Sequence, residues 1–197
     1  LNELDCLGGL HPVTGDAFVG VAPEELWKIL RSYERSLPGK FIDFVATWGC
    51  CSSDEEVVFR LAGQSAVHLH AESVGIPNRR HNSAGFSHFY GLNLAEETLN
   101  LSWALKTYNT RMPEGSVPVA ADGSGGQICY IADSPVGPGF FWWDHDNEWD
   151  EDDYRVDTGE DMPEVSKFQN VYFIAPHFEG FLAAAEIVTG LQSESSG

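Results

Sequence analysis

Two hydrophobic periods alternate along this chain. From Pro23 onward, Leu26, Ile29, Leu30 and Tyr33 recur at i, i+3, i+4 and i+7, the spacing of one face of an α-helix. Pro23 suits the first helical turn, Glu24 and Glu25 complement its positive end, and the helix is expected to finish near Leu37-Pro38. A second short helix carries Phe41, Phe44, Val45 and Trp48 at the same spacing and stops at Gly49. The period then shortens to two. Strands are predicted at Val57 to Ala62 and at Ala66 to Ala71, the latter with Val67, Leu69 and Ala71 on one face. Ser73 to Ser83, containing Pro77-Asn78-Arg79-Arg80-His81, reads as a loop and is the most basic local patch. Helical spacing returns at Leu101, Ala104, Leu105 and Tyr108, and again at Phe178, Phe181, Leu182 and Ala185.

The stretch from Ser116 to Glu148 reads as three short strands separated by turns. Val117-Pro118-Val119-Ala120 is apolar, and Asp122-Gly123-Ser124-Gly125-Gly126 is a glycine-rich turn. Gln127 to Ala132 alternates, with Ile128, Tyr130 and Ala132 on one face, and Phe140 to Trp143 is a β-prone aromatic run. That run leads straight into Asp144-His145-Asp146-Asn147-Glu148-Trp149-Asp150-Glu151-Asp152-Asp153. Helices at both ends and strands between them argue for an α+β fold rather than a βαβ repeat. Asp150 to Val165 could pass for a linker, but a strand returns at Val171, so it reads as a long acidic excursion within one domain.

Composition agrees with one domain: 197 residues and 43% hydrophobic positions can supply a sizeable core. No segment approaches the roughly 18 consecutive apolar residues of a membrane span, and the N-terminus has no basic region followed by an apolar stretch. Cys6, Cys50, Cys51 and Cys129 form neither a zinc spacing nor a disulfide framework. Reduced thiols in a cytoplasm are the simplest reading, with Cys129 a small apolar strand residue.

Charge changes the picture more. Net charge is −19, and Asp144 to Glu164 holds eleven acids against Arg155 alone, a local balance of −10. Such a run repels itself, and its plain reading is a solvated loop that favours solubility. Here, however, Trp142, Trp143, Trp149 and Tyr154 are interleaved with the acids. Rings supply contact area and charges steer encounter, so the pattern suits a surface for a basic protein partner. The candidate partner-binding residues are Trp143, Asp144, Asp146, Glu148, Trp149, Asp150, Glu151, Asp152, Asp153 and Asp157. The block from Asp150 to Asp153 is expected to be exposed and unpaired. A strongly acidic surface repels phosphates, which argues against nucleic acid as a direct ligand.

Catalytic and metal readings mostly fail. Asp144 to Glu148 looks superficially like a calcium loop, but Trp149 stands where that turn needs Gly and Arg155 where it needs a bidentate Glu. His68, His70 and Glu72 would share one strand face, yet no second ligand motif accompanies them, so an exposed face is favoured over zinc. Gly123 to Ile128 lacks the third glycine of a dinucleotide fingerprint. No Gly-x-Ser-x-Gly elbow or Walker loop occurs. His145, between carboxylates, reads as structural rather than as a general acid or base. Neither a cofactor, a metal nor a catalytic residue is expected.

The order "P-V-A, Asp-Gly turn, I-C-Y-I, G-F-F-W-W-D-H-D" resembles the C-terminal signature of the SUKH superfamily, which includes the Smi/Knr-type fungal regulators and many bacterial immunity proteins. Leu26, Ile29, Leu30 and Tyr33 before Leu37-Pro38-Gly39-Lys40-Phe41 resemble the family's first helix and Leu-Pro junction. Ser87 to Leu92 (SHFYGL) resembles its Tyr-Gly-Leu segment, and Val171 to Leu182 (VYFIAPHFEGFL) its closing strand and helix. Pro176-His177 departs from the family, which often has a small polar cap there. The resemblance implies a largely antiparallel sheet with the N- and C-terminal helices packed on one face. It also implies a division into an extension at 1–21, the SUKH domain at 22–190 and a flexible tail at 191–197. In function it implies a non-enzymatic immunity protein that neutralises a toxin, often a nuclease, delivered by a neighbouring cell. The alternative is an intracellular regulatory scaffold, and an enzyme is a distant third.

Overall fold

The computed structural model describes residues 4–70 and 78–188. Helix α1 (Pro23–Ser32) begins with proline, carries Glu24 and Glu25 in its first turn, and buries Leu26 and Leu30. Ile29 and Tyr33 pack partly buried at the same face, with Tyr33 just past the helix end. Helix α2 (Gly39–Trp48) buries Phe41, Ile42, Phe44 and Val45. It stops at Gly49, whose φ is +60° and whose N–H donates to the Val45 carbonyl at 2.9 Å. A Cβ on Gly49 would stand 1.9 Å from the Val19 carbonyl oxygen, so only glycine lets the two backbones bridge there.

Among the described residues three antiparallel sheets follow. β1 (Leu10–Pro12) pairs with β2 (Cys51–Ser53), which ties the segment before α1 to the chain just after α2. β3 (Val57–Gln64) is the centre of a three-stranded sheet, flanked by β4 (Arg80–Gly85) and β10 (Ala185–Ile187). The largest sheet runs in chain order through β5 (His88–Phe89), β6 (Val117–Ala121), β7 (Gln127–Ile131), β8 (Gly139–Trp143) and β9 (Val171–Ala175). The four strands predicted between Val117 and Ile174 therefore lie side by side, as their patterns required.

Both faces of this sheet are covered, which is why Ile128, Cys129 and Ile131 are all buried where a half-exposed strand would alternate. In β8 Phe140 and Trp143 point to opposite sides. Phe140 meets Phe41 of α2 at 6.0 Å between ring centroids, and Phe178 and Phe181 of α6 (Phe178–Ala183) at 6.0 and 4.9 Å. The N- and C-terminal helices thus share one face. Trp143, on the other face, meets Tyr108 of α4 (Leu101–Tyr108) at 5.7 Å. At the start of α6, His177 takes the place of the small polar cap: its Nδ1 accepts the Gly180 N–H at 3.0 Å.

Three expectations are corrected. Of the strand expected at Ala66 to Ala71, Ala66–His70 is instead a short helix, α3, and Ala71 lies outside the described residues. The helix opens on Ser65, whose carbonyl accepts from the His68 and Leu69 N–H groups and whose hydroxyl bonds His68 Nδ1 at 2.9 Å. Val67 is buried and Leu69 exposed, so they do not share a face, and the strand ladder of His68, His70 and Glu72 disappears with it. Glu72 itself lies outside the described residues. Secondly, part of the Ser73 to Ser83 loop belongs to β4, an edge strand whose polar sequence hides its period. Thirdly, the acidic excursion after Asp150 contains a helix, α5 (Glu151–Thr158). The tail at 191–197 lies outside the described residues.

Burial leaves an alkaline signature. Desolvation pushes the Cys50 thiol up to about 11 and the Cys51 thiol to about 12, and burial followed by the Asp144 charge takes Tyr172 to about 12. Each folded value lies above the unfolded one, so each group stabilises fully below its unfolded pKa and loses that contribution as pH rises through the folded value. Stability in urea is expected to be level near pH 8 and to fall between about pH 9 and 12, each group adding at most about 1.4 kcal/mol per pH unit. Urea midpoints unchanged from pH 8 to pH 10.5 would contradict this.

Candidate functional site

The chain leaves β8 at Asp144, and the backbone there is fixed before the acids begin. Asp144 N–H donates to the Asn170 carbonyl at 2.9 Å, and Asn170 Nδ2 donates to the Asp144 carbonyl at 2.8 Å. The Asp144 carboxylate caps the short 3₁₀ turn His145–Asn147, accepting from Asp146 N–H at 3.1 Å and from Asn147 Nδ2. His81 of β4 reaches its other side, with Nε2 at 3.3 Å from Oδ2. The His81 ring stands edge-on to both Trp142 and Tyr172.

Glu148 turns inward. Arg111 Nε donates to both of its oxygens at 3.0 and 3.1 Å and Nη2 to Oε2 at 2.5 Å, a forked ion pair. The guanidinium lies 5.3 Å from the Tyr108 and Trp143 ring centres. Glu148 raises the Arg111 pKa against the opposing effect of burial, so the cation is firmly held. Asp150 then caps α5, its Oδ1 accepting the Asp152 and Asp153 N–H groups at 2.8 and 3.0 Å. Glu151, Asp152 and Asp153 occupy the first turn, where the helix dipole favours negative charge. Lys167 clamps the helix from below, 2.5 Å from Glu151 and 3.6 Å from Glu164, and donates to the Thr110 carbonyl at 3.3 Å. Burial draws the Lys167 pKa down, but the two glutamates together outweigh it and hold the value above the ordinary one.

The acidic excursion is therefore a capped and clamped helix. No residue of α5 is buried. Arg155 folds back onto Asp152 and Asp161 at 3.1 and 2.8 Å, whereas Asp153, Asp157 and Glu160 are exposed and, among the described residues, form no ion pair. Val156 sits between them, 82% exposed.

Two clefts open beside this region. One, of about 190 Å³, lies over Arg111 and Lys167 with Trp149 and Met162 in its walls. The other, of about 210 Å³, lies between the turn after β6 and the end of β8, lined by His81, Asp122, Trp142, Asp144, His145 and Asp146. Its back wall is a hydrogen bond from Trp142 Nε1 to Asp122 Oδ2 at 3.0 Å, with Ser124 N–H holding Oδ1 at 2.7 Å. That bond crosses Gly126 so closely that a Cβ there would lie 2.2 Å from Oδ2 and 2.7 Å from Nε1. Among the described residues no group of three or more His, Cys, Asp and Glu side chains is placed to hold a metal ion. Nor is any helix among them long and apolar enough to cross a membrane.

A family model described as SMI1 / KNR4 family (SUKH-1) matches residues 20–184. The chain belongs to this family. SUKH-1 proteins are generally non-enzymatic, of immunity or regulatory type, and typically bind partner proteins. A relative is the SPbeta prophage-derived uncharacterized protein YokK of Bacillus subtilis, 24% identical over 123 residues, which is 62% of each chain. The chain thus spans less than two thirds of the length of that relative. No solved structure matches it.

In this SUKH-1 chain the ten residues read from the sequence as a contact surface separate into two groups. Trp143 is fully buried and Asp144 only 4% exposed, so neither can be touched by a partner. The β-propensity that placed Trp143 in the strand also placed it in the core. Glu148 is occupied by Arg111, Glu151 by Lys167, Asp152 by Arg155 and Asp150 by its cap, so the block from Asp150 to Asp153 is exposed, but among the described residues only Asp153 in it is left unpaired. Trp149 is half-buried with its ring 6.0 Å from Tyr154. Asp146, Asp152, Asp153 and Asp157 face solvent. Sequence reasoning missed His81, Asp122, Arg111 and Lys167. An Asp before Gly reads only as a turn, and nothing local marks a cation that pairs across the fold.

Proposed function

We propose that this SUKH-1 protein neutralises a basic toxin domain, in keeping with the family's immunity branch, by presenting the outer face of α5. The observation that carries the reading is the state of the acidic excursion. It is anchored by Asp150, Glu151 and Lys167, yet Asp153 and Asp157, with Glu160 just past the helix end, are exposed around an exposed valine and form no ion pair among the described residues. Charges held in place but uncompensated give long-range steering toward a cationic surface, and an apolar centre supplies contact once the partner arrives. Such a face would cover a nuclease's phosphate-binding groove by the same complementarity that makes the groove bind nucleic acid. The protein would act inside the cell that makes it, on a toxin arriving from outside.

The test first asks whether a toxin-like reading frame lies immediately upstream, then takes its product as partner and measures association across a salt series. Surface charges are screened beyond about 8 Å at physiological ionic strength, so the on-rate should fall as salt rises. Changing Asp153, Asp157 and Glu160 to Asn, Asn and Gln should lower the low-salt on-rate about three- to tenfold. The cap, the Lys167 clamp and the melting temperature should stay as they are. Association that ignores both salt and the triple substitution would reject the acidic face. A regulatory role, the other type in the family, predicts no protection against the neighbouring gene product and a partner that is itself a housekeeping protein.

A further inference from the structure

α5 is joined to the body of the molecule unlike the other helices. α1, α2, α3, α4 and α6 each pack extensively on another element, and α5 on none. The apolar side chains around it stay outside the hydrophobic core: Trp149 and Tyr154 lean on each other at 6.0 Å, and Val156 faces solvent. Its hydrogen bonds are equally self-contained. Asp150 caps the first turn, Tyr154 and Gly159 donate through their N–H groups to the Asp150 and Arg155 carbonyls at 2.9 Å, and Thr158 Oγ donates to the Tyr154 carbonyl at 2.8 Å. Arg155 turns onto Asp152 and Asp161 of the same stretch. Among the described residues one polar side-chain tie joins Trp149 to Met162 with the rest of the chain, the ion pair of Glu151 with Lys167 at 2.5 Å.

We propose that the stretch from Trp149 to Met162 is a strap that opens and closes as a unit on the folded body, with Lys167 as its latch. An eight-residue helix with no buried residue does not persist alone in water, so α5 depends on its attachment. The stretch holds seven acids against Arg155, and their mutual repulsion favours opening. Both flanks are pinned independently of the latch. Glu148 lies in the fork of Arg111, and Glu164 Oε1 accepts the Glu114 N–H at 2.6 Å. Opening is therefore confined between these two points and leaves the sheets intact.

Lys167 suits the latch because it belongs to the body. Its side chain is 13% exposed, and it also meets Glu164 at 3.6 Å and the Thr110 carbonyl at 3.3 Å, contacts that keep the ammonium in place when the strap leaves. The consequence for binding rests on α5 being the face that meets the partner. That face exists as a fixed helix only when the strap is closed, so the affinity of a partner is scaled by the closed fraction. Lys167 then sets affinity from beneath the helix without touching the partner.

The experiment measures amide hydrogen exchange of the full chain by NMR with no partner present, so the strap and the partner face can fail separately. The Tyr154 and Gly159 amides report on the strap and the slowest amides of β7 and β8 on global unfolding. The strap amides are expected to exchange at least about a hundredfold faster than those of the sheet, yet at least about tenfold slower than an unstructured chain. Phe181→Leu, a change in the buried core, should speed the sheet amides about tenfold or more and leave the strap amides within about twofold of their rate. Lys167→Met and Glu151→Gln should each speed the strap amides about two- to fivefold, and the double variant no more than the larger single one. Strap amides that are as slow as the sheet, or that follow it in Phe181→Leu, would mean that α5 leaves only when the molecule unfolds and would overturn the proposal. Exchange at the unstructured rate would overturn it too, by removing the closed state. Single changes without effect, or effects that add fully in the double variant, would reject Lys167 as the latch.

Discussion

Phe181→Ala is expected to destabilise the protein by about 3–5 kcal/mol, because the ring it removes joins the two larger sheets. Phe181 is fully buried in α6 and stacks on Phe59 of β3 at 4.2 Å and on Phe140 of β8 at 4.9 Å. Phe41, Phe89 and Phe178 complete the aromatic cluster around Phe140 and Phe181. Removing the central ring loses transfer free energy and leaves a cavity whose walls belong to separate sheets, which limits how far they can collapse. Urea unfolding should show the midpoint shift, and Phe181→Leu should recover more than half of it. A loss below about 1.5 kcal/mol for the alanine variant would mean that the sheets are joined elsewhere.

Trp143→Ala should cost a similar amount, about 3–5 kcal/mol, on the opposite face of the same strand. Trp143 is fully buried against Tyr108 and carries the Arg111 guanidinium that holds Glu148. Its loss therefore also loosens the start of the acidic region. The indole N–H finds no acceptor among the described residues. Trp143→Phe should consequently be mild, within about 1.5 kcal/mol, since it removes volume but no hydrogen bond. Had the residue been a partner contact, as its place beside the acids suggested, alanine would have weakened binding and spared the melting temperature. The burial predicts the reverse.

The elements legible in the sequence were the ones long enough to show a period. The faces of α1, α2, α4 and α6 and the strands β3 and β6 to β9 all announced themselves through the spacing of apolar residues. The missed elements are short or polar. Across Ala66–His70, Val67 and Leu69 fit either period, and the Ser65 hydrogen bonds that decide for helix are tertiary detail. β1, β2, β5 and β10 have two or three residues each, too few for any pattern. α5 was readable in principle, since Asp150 followed by three acids is a helix start, but the uniform charge concealed it. At the site, the abundance of negative charge was plain and its distribution was not. Arg111 lies 37 residues from Glu148, and no local signal says which acids meet a cation and which are left free.

Because no residue of α5 is fully buried and the helix is fastened through Asp150, Glu151 and Lys167, its outer positions are free of any duty to the fold. Substitutions at Asp153, Val156 and Asp157, and at Glu160 just beyond the helix, should combine additively with changes in the distant core. The surface can therefore be rewritten one residue at a time to follow a changing partner, while the stability threshold is guarded by aromatic residues that never see solvent.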